Sequence, residues 1–176
     1  MARAYLIESK WFQTKYEPSF EEYSQIGLAT SGYGMLTITA YLGMGDIPTK
    51  EAFDWASSFP KIIKSASLIS RYMDDIIESF EENKADFISA VKCYMRQNGA
   101  SLEEARAELG KQVHEAWKGV NEEFLEPRAV SLHLLTRTLN LARVMDVFYK
   151  DGDGYTQAGE ILNPLINDVF IHSIPM

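Results

Sequence analysis

Three carboxylates recur every four residues in the segment 71–82, which has the sequence RYMDDIIESFEE. They are Asp74, Glu78 and Glu82. On a helix this spacing places them on one face, and helical side chains lean toward the N-terminus, so their oxygens can converge. Like charges at this spacing repel by about 0.2–0.5 kcal/mol per pair, and a bound cation would offset that cost. Because Mg²⁺ combines carboxylates with water and phosphate oxygens, the pattern predicts a Mg²⁺ site for a phosphorylated substrate.

A second interpretation of this acidic face is a plain solvated surface, with Asp75, Glu81 and Lys84 beside it. Arg71 also has two interpretations, because it precedes Asp74 by three residues and shares nearly the same face. Its guanidinium could bind a diphosphate held by the metal, or it could simply pair with Asp74. The spacing alone leaves both questions open.

Composition excludes several other classes of protein. The 176 residues carry a formal net charge of −8, which argues against nucleic acid as a partner. Cys93 is the only cysteine, so there is neither an intramolecular disulfide nor a thiolate zinc cluster. His114, His133 and His172 are too far apart for an HExxH-type zinc site. The N-terminal residues lack a continuous apolar signal region, and we expect a cytoplasmic location.

Helical periodicity dominates the chain, and no segment shows the alternation typical of a strand, which predicts an all-α class. The first helix has no capping residue ahead of it, so we expect the chain to begin inside a helix, as a piece of a longer protein or a product begun at an internal methionine would. Proline and glycine breaks separate the predicted helices. These run from the N-terminus to Tyr16, then over 19–42, 49–57, from Pro60 through the acidic residues, 86–97, 102–124, 131–149 and 157–173.

The stretch 24–45 has no charged residue and is long enough to span a membrane. Its threonines, serines and glycines, and the lack of a basic flank, instead favour a helix buried within a bundle, without membrane insertion. Thr30, Ser31 and Gly32 combine hydroxyls with a glycine, a combination that bends helices. We expect a kink there to present backbone carbonyls to a cavity. Further along, the segment 151–155 opens like a calcium-binding loop, but position twelve is Leu162, so we expect a flexible loop instead.

Taken together, several ordered segments resemble the C-terminal catalytic domain of plant class I terpene synthases, specifically the sesquiterpene cyclases. They are ARAY at 2–5 with Glu8 and WF at 11–12, LATSGY at 28–33, YLGM at 41–44, Arg71 with the acidic residues, EAWK at 115–118, NEEFL at 121–125, LNLARVM at 139–145 and DGDGYT at 151–156. The second metal motif of that family has Ser or Thr where this chain has Glu78. The cotton-type δ-cadinene synthases show a similar Asp-rich variant. The spacing downstream leaves Glu81 and Glu82 both open as the third ligand.

The resemblance implies an α-helical barrel in which three Mg²⁺ ions, or Mn²⁺ in their place, hold the diphosphate of farnesyl diphosphate. Ionisation would leave an allylic cation that cyclises in an apolar, aromatic-lined pocket, with δ-cadinene as the candidate product. The resemblance assigns roles to individual residues as follows: Asp74, Glu78 and Glu82 bind one Mg²⁺; Arg71 contacts diphosphate; Thr30, Ser31 and Gly32 present carbonyls to the cation; and Tyr149, Asp153 and Tyr155 belong to the pocket and its closing loop.

The resemblance also implies that residues 1–176 form only the C-terminal portion, about the last third, of such an enzyme. The first aspartate-rich motif, the diphosphate-binding arginines and the N-terminal domain would lie upstream. We therefore expect the isolated chain to be inactive and the full-length enzyme to be a monomer. One alternative is a non-catalytic helical remnant that serves as an interaction module. A prenyl-elongating transferase is the other, and it would normally carry a second full DDxxD motif, which this chain lacks.

Overall fold

The computed structural model of the chain describes residues 1–80, 88–150 and 152–171. Within these ranges the regular elements are α-helices and no β-strand occurs, so the all-α prediction is confirmed. Helix α5 is central and packs against α2, α3, α6, α7 and α8. The helices are α1 (Ala2–Thr14), α2 (Phe20–Thr30), α3 (Tyr33–Leu42), α4 (Lys50–Ser57), α5 (Lys61–Glu78), α6 (Ala90–Asn98), α7 (Leu102–Glu122), α8 (Leu132–Tyr149) and α9 (Ala158–Phe170).

Side-chain caps fix where several helices begin. The hydroxyls of Ser19 and Ser101 each accept the amide of the third helical residue, whose glutamate side chain returns to the serine amide. Helix α6 begins at Ala90 with Ser89 as its N-cap, later than the predicted start at Asp86, which lies outside the described residues. The bounds predicted for α4, α7 and α8 agree with the structure to within one or two residues.

The uncharged stretch 24–45 is not one kinked helix, and that prediction is wrong. Helix α2 ends at Thr30 and α3 begins at Tyr33, with Gly32 between them at φ 82°. This left-handed conformation is available to glycine at little cost, so the chain stops one helix and starts another instead of bending. Among the described helices, none is both long and apolar enough to cross a bilayer.

The end of α5 is fixed from a neighbouring helix. Arg106 of α7 donates from Nη2 to the Ser79 carbonyl at 2.6 Å and from Nε to the Ser79 hydroxyl at 2.8 Å, and it stacks 3.5 Å from the centre of the Phe80 ring. A guanidinium at a helix C-terminus stabilises its unpaired carbonyls. Since α5 ends at Glu78, the prediction that a single helix continues through Glu82 is wrong.

The core lies on two sides of α5. On one side Ile62, Ile63, Ala66 and Ile69 pack with buried residues of α3, α4, α7 and α8. On the other side Tyr72 packs with buried residues of α2, α6 and α7. Helix α5 is therefore held by apolar contacts on both sides, which fixes the direction of its last turn.

The packing of α7 against α5 depends on one glycine. A Cβ atom at Gly119 would lie 2.7 Å from the Ser65 hydroxyl oxygen, whereas a Cβ at Gly110 of the same helix would meet no atom within 4 Å. We expect Gly119→Leu to lower the free energy of unfolding by about 1–3 kcal/mol, because the side chain must push the helices apart. Gly110→Leu is the matched control and should be neutral or stabilising, since leucine favours helix more than glycine does. Urea denaturation measures both; equal effects at the two positions would contradict this account.

Candidate metal and diphosphate site

The last turn of α5 carries three carboxylates that could share one cation. Oxygens of Asp74, Asp75 and Glu78 all lie within 4.8 Å of one another. A set of hard oxygen donors this compact suits Mg²⁺, which binds oxygens at about 2.0–2.1 Å and retains water at its other positions. Two members, Asp74 and Glu78, are predicted ligands. The third predicted ligand, Glu82, and its alternative Glu81 lie outside the described residues.

Asp75 is less exposed to solvent than the sequence suggested. Its side chain is buried, 1% exposed, so the solvated-face interpretation does not hold for this residue. The Tyr23 hydroxyl donates to one oxygen at 3.1 Å and the Ala90 amide donates to the other at 2.7 Å. Burial raises the pKa of Asp75 to about 7, although Arg71, the Ala90 amide and Tyr23 all act to lower it.

Arg71 is held between α5 and α2. Its Nη1 atom donates to Asp74 Oδ2 at 3.0 Å and lies 3.7 Å from Asp75 Oδ1. On the α2 side, Nε donates to the Gly27 carbonyl at 3.3 Å and Nη2 reaches the Thr30 hydroxyl at 3.5 Å. The simple ion pair with Asp74 is therefore present. Diphosphate binding by the same guanidinium stays a prediction.

The break between α2 and α3 lies against α1 as well as Arg71. The Thr30 side chain is buried, and its hydroxyl donates to Glu8 Oε1 at 2.7 Å. The Thr30 carbonyl accepts the hydroxyl of Tyr5 at 2.9 Å. The break therefore occurs at the predicted Ser31 and Gly32, but the Thr30 carbonyl is hydrogen-bonded to a tyrosine instead of being free. A role for these carbonyls toward a cation stays a prediction.

Tyr149, at the end of α8, contacts the acidic group directly. Its hydroxyl donates to Asp74 Oδ1 at 2.8 Å, so both oxygens of Asp74 are engaged, one by Tyr149 and one by Arg71. Burial raises the pKa of Tyr149, and the charge of Asp74 raises it further. Burial also raises the pKa of Asp74, against the opposing effects of the Tyr149 hydroxyl and Arg71. Tyr149 therefore stays protonated as a donor.

A tight turn places Asp153 and Tyr155 next to Tyr149. Asp153 is buried, and its Oδ1 accepts the amides of Tyr155 at 2.9 Å and Thr156 at 3.0 Å. The Tyr155 ring lies 6.0 Å from the Tyr149 ring, centre to centre, and 4.5 Å from that of Phe148. The structure thus brings all three predicted pocket residues to the same end of α5.

A cavity of about 450 Å³ opens beside the acidic group and includes residues that the sequence did not single out as ligands or pocket residues. Glu8 and Tyr5 recur at helical spacing on one face of α1, and that periodicity could have identified them. Tyr23 had no local signal, because its partner Asp75 is 52 residues away. The lining residues are Tyr5, Glu8, Ser9, Trp11, Phe12, Tyr23, Arg71, Asp75, Glu78 and Ile88.

Comparison with known families decides how this group of carboxylates is interpreted. The sequence profile of the terpene synthase family, metal binding domain, matches residues 1–119. The chain belongs to the terpene synthase family. The matched residues include the whole of α5, with Arg71 and the acidic group, so the family's metal-binding domain coincides with the site found from geometry.

Several curated plant terpene synthases are similar over almost the whole chain. The (+)-delta-cadinene synthase isozyme A of Gossypium arboreum is 49% identical over 99% of this chain and 32% of its own length. The valencene synthase of Vitis vinifera is 48% identical over 98% of this chain and 31% of its own length. This terpene synthase chain thus spans about a third of the length of the curated relatives it matches. The family resemblance inferred from the sequence is confirmed.

Solved structures show the same helical arrangement. A crystal structure of the isoprene synthase from grey poplar (Populus x canescens), in complex with three Mg²⁺ ions and dimethylallyl-S-thiolodiphosphate, aligns with a TM-score of 0.88 at 28% identity. The alignment covers 98% of this chain and 33% of the isoprene synthase. A limonene synthase gives the same TM-score at 24% identity, which supports the fold. The prediction of a terpene synthase C-terminal helical domain is confirmed.

Proposed function

We propose that this chain is the C-terminal portion of a sesquiterpene synthase, which ionises farnesyl diphosphate with Mg²⁺ and cyclises the resulting cation, with δ-cadinene as the candidate product. The observation that carries the proposal is the contact set at the end of α5. Within it, Asp74 is bonded to Arg71 and Tyr149 and has an oxygen within 4.8 Å of one of Glu78, and both Arg71 and Glu78 line the cavity. The similarity to cotton δ-cadinene synthases supports the sesquiterpene class.

Different residues of the chain would bind the metal and the diphosphate of a prenyl diphosphate. Asp74 and Glu78, with Glu82 or Glu81 as the third carboxylate, would hold one Mg²⁺. Bound there, Mg²⁺ neutralises diphosphate charge and so favours departure of that group. Arg71 offers a guanidinium that matches phosphate oxygens in geometry and charge. If a cation took up the Asp74 oxygens, Arg71 would bond to the diphosphate while its contacts with Gly27 and Asp75 kept it between α2 and α5.

The aromatic side of the site suits a carbocation. Tyr149 and Tyr155 would present ring faces, whose negative quadrupoles attract positive charge, and Asp153 fixes the turn that carries Tyr155. We also propose that the backbone carbonyls near Thr30, Ser31 and Gly32 stabilise the same positive charge electrostatically. The roles of these groups are part of the proposal, as are a monomeric state and a cytoplasmic location for the complete enzyme.

Complete activity requires more carboxylates than the described residues hold. Among those residues one acidic group of this kind occurs, and the proposal places the other Mg²⁺ ions on an upstream aspartate-rich motif outside this chain. We therefore expect the 176-residue chain alone to give no measurable turnover of farnesyl diphosphate.

A chimera tests the proposal. Residues 1–176 would replace the homologous third of the (+)-delta-cadinene synthase isozyme A, to which they align over 99% of their length. We expect the chimera to convert farnesyl diphosphate to cyclic sesquiterpenes in a Mg²⁺-dependent reaction, detected by gas chromatography and mass spectrometry. The matched control is the chimera with Glu103→Gln, an exposed position on α7, which should remain active. A folded chimera without turnover would contradict the proposal and favour a non-catalytic helical module.

A further inference from the structure

Asp75 has a different environment from the two carboxylates beside it. Both of its oxygens accept hydrogen bonds from the protein, one from the Tyr23 hydroxyl and one from the Ala90 amide. Its side chain is buried, whereas Asp74 and Glu78 are partly exposed. The three carboxylates close enough to share a cation therefore include Asp75, whose two oxygens both accept hydrogen bonds from protein groups.

The two donors come from different helices. Tyr23 lies in α2 and is itself buried, 3% exposed, in the apolar cluster shared by α2, α5, α6 and α7. Ala90 is the first residue of α6, where backbone amides have no acceptor within their own helix. Asp75 supplies that missing acceptor from α5. A single side chain thus joins α2, α5 and the start of α6 at the level of the site.

This junction also lies next to Arg71. The guanidinium Nη1 is 3.7 Å from Asp75 Oδ1, and Nε is bonded to the Gly27 carbonyl one turn after Tyr23 on α2. Two features therefore hold Arg71: the adjacent carboxylate of Asp75 and the relative position of α2 that the Tyr23 contact maintains. An arginine held in this way loses less conformational freedom when it binds a ligand.

We propose that Asp75 is a positioning residue for diphosphate, which acts through Arg71 and is not a metal ligand. This assignment rests on the proposed function, because it concerns binding of the same diphosphate. The Tyr23–Asp75–Ala90 contacts keep α2 and α6 in place around α5, and the carboxylate holds Arg71 beside Asp74. Removing the charge of Asp75 should therefore weaken diphosphate binding and leave metal binding nearly intact.

A double-mutant cycle on the 176-residue chain tests this role. Mn²⁺ binding is measured by electron paramagnetic resonance, and inorganic pyrophosphate binding by calorimetry at saturating Mn²⁺. Asp75→Asn retains groups that can bond to Tyr23 and Ala90 but loses the charge. We expect Mn²⁺ affinity to change by less than about threefold, because Asp75 is not a ligand, and pyrophosphate affinity to fall about tenfold. In the Arg71→Ala background, Asp75→Asn should weaken pyrophosphate binding no further, because the two residues act as one unit.

Two further variants make the outcome decisive. Asp74→Asn shows what the loss of a metal ligand does to Mn²⁺ affinity. Tyr23→Phe breaks the α2 contact with the Asp75 charge in place, and it should weaken pyrophosphate binding severalfold with Mn²⁺ binding unchanged. Additive effects of Asp75→Asn and Arg71→Ala, or loss of Mn²⁺ affinity in Asp75→Asn equal to that in Asp74→Asn, would overturn the assignment. If Asp75→Asn does not fold, Tyr23→Phe decides. An unsubstituted chain that binds neither probe would overturn the assignment of Asp75 alone. The proposed function fails only if the folded chimera gives no turnover, so the two failures are distinct.

Discussion

Asp74→Asn should reduce the Mn²⁺ affinity of the chain by about 100-fold or more and abolish turnover in the chimera, the largest single effect we expect. Asparagine has nearly the same shape as aspartate and can still accept the Tyr149 hydroxyl, so the fold should persist. The variant loses the anionic oxygen that the proposal assigns to the metal. Electron paramagnetic resonance on the chain and product analysis on the chimera measure the two effects.

Thermal unfolding distinguishes loss of metal binding in Asp74→Asn from loss of folding stability. Asp74→Asn relieves repulsion among three neighbouring acids but loses the ion pair with Arg71, so the melting temperature should stay close to that of the unsubstituted chain. Glu103→Gln makes an equivalent charge change at an exposed position on α7 and should alter neither metal binding nor turnover. Mn²⁺ affinity equal to that of the unsubstituted chain in folded Asp74→Asn would rule out Asp74 as a ligand.

At Glu78, we expect substitution by serine to be tolerated better than substitution by glutamine, although glutamine is closer to glutamate in shape. The resemblance places Glu78 where most members of the family have a serine or threonine hydroxyl. Glu78→Ser restores that hydroxyl, whereas Glu78→Gln keeps the length of the side chain but replaces the anionic oxygen by an amide. We expect the Mg²⁺ concentration for half-maximal turnover in the chimera to rise about 10–100-fold in Glu78→Gln and clearly less in Glu78→Ser.

Two outcomes would revise the assignment of ligands. If Glu78→Gln left the Mg²⁺ requirement unchanged, Glu78 would not be a ligand, and its acidic side chain would only contribute to the local charge. The same assay applied to Glu81→Ala and Glu82→Ala identifies the third carboxylate, which lies outside the described residues. A larger effect of Glu81→Ala would shift the predicted motif by one position.

Local spacing was enough to predict much of this protein. The all-α class, the starts of α2, α7 and α8, and the position of the irregularity at Ser31 and Gly32 all depend on residues within a few positions of one another. The spacing left open whether Arg71 pairs with Asp74 or binds diphosphate. Capping, periodicity and glycine conformation act over that range, and a single sequence displays them directly. The family resemblance was likewise recoverable, because its segments occur in order along the chain.

The two errors concern where helices end. Helical spacing continues from Asp74 to Glu82 in the sequence, but α5 ends at Glu78, where Arg106 of α7 binds the Ser79 carbonyl. Periodicity cannot reveal a stop imposed by another helix. The stretch 24–45 similarly lacks proline and charge, so only the left-handed conformation of Gly32 shows that two helices occupy it.

Residue type and helical register are enough to identify the side chains that could bind a metal and a diphosphate, because they specify the available charges. The groups that contact those side chains depend on the packing of distant helices. Tyr149 reaches Asp74 across 75 residues, and Tyr23 reaches Asp75 across 52, because α8 and α2 pack against α5. These contacts follow from burial of apolar faces on three separate helices, and such packing is not encoded in the spacing around any one of them.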